Sequence, residues 1–217
     1  MILILIAAIL EQLRKNIFRI LLFMIVPSVV LFVAFYIGKA NNIEVSDFTR
    51  DTTAVLHGQP WVGVISMLGL FLWSAAATVS LFAAFILKRR GVVGGVRDVL
   101  RFGGYLSLFL GFDDAFEMHE VVFESLFPMS EKIFYSVYVG SVLAYMILLK
   151  DELLKTDFIY WIISMGLFFG SVILDSIDPI VSHQVFYEDC FKFSGIFFWV
   201  VYYMRTGFYA LICPDKI

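Results

Sequence analysis

Apolar residues in this chain run in long blocks, and most charged residues sit in the gaps between them. This is the pattern of membrane helices rather than of alternating strands or narrow amphipathic stripes. A helix needs about 20 apolar residues to cross roughly 30 Å of hydrocarbon. Blocks of that order lie at 17–38, 61–87, 102–127, 133–149, 158–181 and 185–211. They predict an all-α, polytopic bundle of about six transmembrane helices, organised as one domain over 1–217. The third, fifth and sixth blocks reach full length only if acidic residues are admitted, and the last two are parted by a short turn at 182–184.

Composition supports lipid as the solvent. With 61% hydrophobic residues and 16% charged, the chain holds more apolar surface than one water-soluble core could cover. The net charge of −3 removes the basic face that a nucleic-acid partner would require. The bilayer is therefore the expected partner.

Basic residues set the orientation, because positively charged loops stay on the cytoplasmic side. Arg14, Lys15 and Arg19 lie before or at the start of the first block, and Lys88, Arg89, Arg90, Arg97 and Arg101 fill the second connection. Lys150 and Lys155 follow the fourth block, and Arg205 and Lys216 close the sixth. These are 12 of the 16 basic residues, whereas Lys39, Arg50 and Lys132 lie on the other side and Lys192 lies inside a block. Both termini are thus placed in the cytoplasm, in a plasma membrane or a bacterial inner membrane. The segment 1–16 opens with an apolar stretch too short to span, its charges following that stretch, and reads as an interfacial helix. An uncleaved signal anchor is the lesser alternative.

Small residues recur at helical spacing in the second block (Ser66, Gly69, Ser74, Ala77, Ser80, Ala84) and as Gly166-x-x-x-Gly170 in the fifth. In lipid such positions let backbones approach closely. The fourth block, uncharged from 133 to 149, reads as the most lipid-facing helix, and Pro27 predicts a kink in the first. Cys190 and Cys213 fall at opposite ends of one helix, about 35 Å apart by helical rise, so they do not pair within it.

The chemistry concentrates in the third block. Asp113, Glu117, Glu120 and Glu124 recur at helical spacing on one stripe, Asp114 lies beside it, and His119 points nearly away. Asp175 and Asp178 end the fifth block, while Glu188 and Asp189 begin the sixth. These nine of the 19 acidic residues fall near one level in the outer half of the bilayer. A charge near the bilayer centre costs on the order of 3 kcal/mol, so such a group calls for a cation, a proton, water or a basic partner. Lys192 follows Glu188 by four residues and Asp189 by three, which predicts an ion pair along one helical face and an internal counter-ion for the cluster. Glu188 and Asp189 also suit a helix N-terminus, where the dipole favours negative charge.

Oxygen-rich ligands suit hard divalent cations, and one or two histidines would admit iron or zinc. The expected function is binding or translocation of a divalent cation, with proton coupling, at Asp113, Asp114, Glu117, Glu120, Asp175, Asp178, Glu188 and Asp189. His119, His183 and Glu124 are additional candidate ligands. The third, fifth and sixth helices are expected to pack together to form it. A membrane-embedded metalloenzyme acting on a lipid is the alternative, and a structural or partner-binding subunit is a further one. The sequence lacks His-Glu-x-x-His, Gly-x-Ser-x-Gly and Walker patterns. Asp113-Asp114-x-x-Glu117 with Asp175-x-x-Asp178 superficially resembles the paired acidic motifs of membrane prenyltransferases. It comes without the basic residues that diphosphate requires, so that activity is set aside.

Overall fold

The computed structural model describes residues 62–116, 118, 131–176 and 184–212, together with 56–59 and a subset of positions between 14 and 42. Among the described residues the chain is all-helical, with six helices and no strand. It divides into two units, Met1–Val62 and Gly63–Ile217.

In the first unit, the described positions between 14 and 41 are helical and form α1. Its end is marked by two asparagines. The Asn41 amide donates to the Ile37 carbonyl at 3.0 Å, and Asn42 takes a left-handed φ of 55° that this residue type tolerates at a helix terminus. Pro27 and residues 1–13 lie outside the described residues, so the expected kink and interfacial segment do too.

The second unit holds α2 (Val64–Arg89), α3 (Val96–Phe116), α4 (Glu131–Leu153), α5 (Ile159–Ser176) and α6 (Gln184–Ile212). The α2–α3 connection is tight because its glycines permit it. Val92 N–H donates to Leu87 O at 3.0 Å and Gly91 N–H to Lys88 O at 3.1 Å, while Gly91 sits at φ 80°. This is the Schellman closure that satisfies carbonyls left open at a helix end. Arg97 then ties the loop down by donating to Val92 O at 3.0 Å. At the other end of the unit, the Gln184 amide reaches back to Leu174 O at 2.6 Å and joins the start of α6 to the end of α5.

Helix α2 is central and packs on both α3 and α6. Helix α5 packs on α6, and α4 packs on α3. The small-residue pattern of α2 explains its position: Gly69, Ala77, Ser80 and Ala84 are buried, whereas Ser66 and Ser74 are exposed and the Ser74 hydroxyl turns back to Leu70 O. On α3, Gly103 lies under the Tyr203 phenol and Gly104 under Leu81 and Ser80. Of the expected glycine pair on α5, Gly170 lies against the Phe191 ring, while Gly166 faces open space.

Aromatic side chains fill the middle of the unit. Trp73 stacks on Phe168 with centroids 5.9 Å apart and meets Trp199 edge-on at 5.8 Å; Trp199 in turn packs on Tyr203 at 5.2 Å. Several polar side chains inside the unit are bonded locally, whereas the Trp73 and Trp161 indoles and the Ser80 and Thr206 hydroxyls are buried without a hydrogen-bond partner among the described residues. The Trp199 indole donates to Ser107, whose hydroxyl donates to Gly103 O, both at 2.8 Å. Ser164 donates to Gly195 O at 2.8 Å.

The exterior is apolar: Phe71, Phe82, Phe112, Ile147, Leu148 and Phe169 are all exposed. Two helices, Val64–Arg89 and Phe186–Ile212, are long and apolar enough to cross a membrane, and Ile159–Leu174 is a shorter apolar helix. Helix α3 begins before the predicted 102, because Arg97, Asp98 and Arg101 are satisfied within it. Arg97 and Arg101 pair with Asp98 at 2.8 and 3.4 Å, and the Arg101 guanidinium also lies over the Phe102 ring.

Candidate functional site

The described part of the carboxylate cluster centres on Asp113 and Asp114 near the end of α3. Adjacent residues on a helix project about 100° apart, so the two carboxylates face different neighbours. Asp113 turns toward α4. It is 8% exposed and accepts a 2.5 Å hydrogen bond from the Tyr138 hydroxyl, while the Tyr138 ring packs edge-on against Phe109 at 5.5 Å.

Asp114 turns toward α2 and α6. Its Oδ1 lies 2.5 Å from the Lys192 ammonium, with the Asp114 side chain 10% exposed and that of Lys192 43% exposed. Its Oδ2 lies over Gly69 of α2: a Cβ at that glycine would stand 3.9 Å from this oxygen and 3.4 Å from Ile196 Cδ1. That oxygen therefore faces a position of α2 that carries no side chain. One turn along α3, Gly111 is covered by Trp73, so the carboxylate level rests on the aromatic centre. Lys192 is partly solvated, which screens its attraction to Asp114, and the pair is an electrostatic latch of moderate strength rather than a dry buried bridge.

Among the other expected ligands, Glu188 is half-buried and Asp189 exposed, both in the first turns of α6. Asp175 lies in α5, described by its backbone. Glu117, Glu120, Glu124, Asp178, His119 and His183 lie outside the described residues. Among the described residues no group of three or more His, Cys, Asp or Glu side chains converges. Helices α3 and α6 meet as expected; α5 packs on α6 and makes no extensive contact with α3 among the described residues.

Three participants were not apparent from the sequence. Tyr138 stands in an uncharged block where an aromatic residue reads as lipid-facing, Gly69 reads as a packing residue, and Trp73 carries no reading of its own. The spacing of Lys192 pointed along its own helix, and the structure adds Asp114, on a different helix, as its partner. Hydrophobic periodicity gives the angular position of a side chain on its helix but not the identity of the facing helix.

A second polar assembly lies at the opposite end of α6. Arg205 donates to Asp157 at 2.8 and 2.6 Å and lies over the rings of Tyr160 and Tyr209. Nearby, the hydroxyls of Thr156 and Tyr202 are 2.9 Å apart. These contacts anchor the α4–α5 connection to the last turns of α6.

The family described as Domain of unknown function (DUF8692) matches residues 20–206. The chain belongs to that family. The DUF8692 match includes Gly69, Asp113, Asp114, Tyr138 and Lys192, so the whole described site lies within the domain. No curated protein and no solved structure matches the chain.

Proposed function

We propose that this DUF8692 chain is a six-span membrane protein with both ends in the cytoplasm, resident in a plasma or bacterial inner membrane. In this reading it binds or translocates a divalent cation at an outward-facing carboxylate site. The membrane reading is supported by the two long apolar helices and by the apolar exterior. Such an exterior would be an association hazard in water and is the ordinary surface of a protein in lipid.

One observation carries the cation reading. Asp114 is paired with the Lys192 ammonium through one oxygen and faces Gly69, a residue without a side chain, with the other. A carboxylate in that state has its charge partly compensated while keeping lone pairs that a hard cation can use. Lys192 acts as the counter-ion of the empty site and a divalent ion competes with it. Asp113 is the neighbouring carboxylate in the same turn, and the sequence offers Glu117, Glu120, Asp175, Asp178, Glu188 and Asp189 as further oxygen donors. Proton coupling of the exchange belongs to the same reading.

Calorimetric titration of the purified protein in lipid nanodiscs with Mg²⁺, Ca²⁺, Mn²⁺ and Zn²⁺, beside Asp114→Asn, tests this. Saturable binding by wild type that is weakened at least about tenfold in Asp114→Asn is expected, since a charged ligand is lost while shape is kept. Absence of binding to wild type would sink the proposal.

A further inference from the structure

The α2–α3 connection is strongly basic. Between 88 and 101 the chain holds five basic residues, Lys88, Arg89, Arg90, Arg97 and Arg101, and one acidic residue, Asp98. Not all of that charge is free to act. Arg97 donates to Asp98 through Nε and Nη2 at 3.1 and 2.8 Å and to Val92 O through Nη1 at 3.0 Å. Arg90 donates to Leu211 O at 2.9 Å and so satisfies a carbonyl at the end of α6.

Arg89 and Arg101 are engaged differently. The Arg89 guanidinium lies over the Phe85 ring at 5.2 Å, and that of Arg101 over the Phe102 ring at 4.5 Å. Arg101 reaches only the Asp98 oxygen that Arg97 already holds, at a longer 3.4 Å, and its side chain is 43% exposed against 15% for Arg97. Arg89 pairs with no carboxylate among the described residues. Phe85 and Phe102 are themselves exposed, on two helices that pack together.

In a bilayer, exposed phenylalanines face acyl chains. An arginine whose stem runs along such a ring leaves its charged fork at the boundary with the headgroups, which is the depth of the phospholipid phosphates. The guanidinium offers paired N–H donors that match phosphate oxygens, and it keeps the ring beneath it while doing so. We infer that Arg89 and Arg101 bind the headgroup phosphate of anionic phospholipids. The surplus positive charge of the connection attracts a lipid of net negative charge, and it disfavours a headgroup that carries its own ammonium. At the other end of α3 the balance is reversed, since Asp113 and Asp114 stand there with Lys192 as the basic partner. This inference rests on the membrane reading above and is independent of the cation site.

The test uses the full-length chain purified in a neutral detergent. Phosphatidylglycerol or phosphatidylcholine with the same acyl chains is added, bound lipid is counted by native mass spectrometry, and the thermal midpoint is followed. Wild type should retain phosphatidylglycerol and melt at a higher temperature with it, and phosphatidylcholine should do neither. The double variant Arg89→Gln, Arg101→Gln should bind phosphatidylglycerol about thirtyfold more weakly, the size expected for two basic residues at an anionic surface. The charge-conserving variant Arg89→Lys, Arg101→Lys should also bind severalfold more weakly, because an ammonium lacks the planar fork and the stacking. It keeps a cation beside Asp98, so it serves even where the glutamine variant folds poorly.

A lysine variant that binds as wild type does would reduce the pair to diffuse charge and overturn the assignment. Equal retention of the two lipids, or equal protection by inorganic phosphate at the same concentration, overturns it as well and leaves the membrane reading standing. A chain that stays in solution without detergent overturns both.

Discussion

Lys192 reaches Asp114 at 2.5 Å across the meeting of α3 and α6, two helices far apart in sequence. The pair draws together one of the predicted carboxylates and a basic residue of α6. It also sits where α2 contributes a glycine instead of a side chain. Charge and counter-charge thus meet beside a position without a side chain.

That glycine gives a substitution with separable effects. A methyl group at Gly69 would make only ordinary van der Waals contacts, 3.4 Å from Ile196 and 3.9 Å from Asp114 Oδ2, so Gly69→Ala should keep the thermal midpoint of the protein. It should nevertheless lower divalent-cation affinity severalfold by covering the carboxylate. Unchanged affinity in a well-folded Gly69→Ala would show that ions do not approach from this side.

The glycines of α3 and α5 predict opposite outcomes. A Cβ at Gly103 would collide with the Tyr203 phenol, which is fully buried and bonded to Tyr145. Gly103→Ala should therefore cost about 1–3 kcal/mol by overpacking and clearly lower the midpoint in detergent. Gly166 faces open space, so Gly166→Ala should be neutral or stabilising by about 0.5–1 kcal/mol through reduced backbone entropy. Thermal melts of the two variants side by side check both.

Much of the helical framework could be read from hydropathy, because block length and the placement of Lys and Arg carry it directly. The boundaries of α3 were harder. Arg97, Asp98 and Arg101 read as loop charges, yet they neutralise one another within the first turns of a helix. Asp113 and Asp114 stood out as candidate site residues because ionisable groups deep in apolar blocks are costly. The partner of Asp113 did not, since nothing in the spacing of an uncharged block distinguishes Tyr138 from a lipid-facing ring. Helix-to-helix contacts such as Lys192 with Asp114 depend on which faces meet, and a single sequence specifies that only through packing.

Topology is tested independently of the site. Single cysteines placed within 40–60 or 129–132, in a cysteine-free background, should react with a membrane-impermeant maleimide from outside intact cells, and those within 91–95 should be protected. Reversed accessibility would put the carboxylates on the cytoplasmic side.

The competition between Lys192 and a divalent ion is the centre of this account, and calorimetric titration of Lys192→Met against wild type measures it most directly. Removing the ammonium leaves Asp114 uncompensated in a poorly hydrated place, so the empty variant should melt at a lower temperature than wild type. Its affinity for Mg²⁺, Ca²⁺ or Mn²⁺ should rise, because the ion no longer displaces a resident charge, and the added ion should restore the lost stability. The contradicting result is equally plain: no ion binds to either protein, and the two melt at the same temperature.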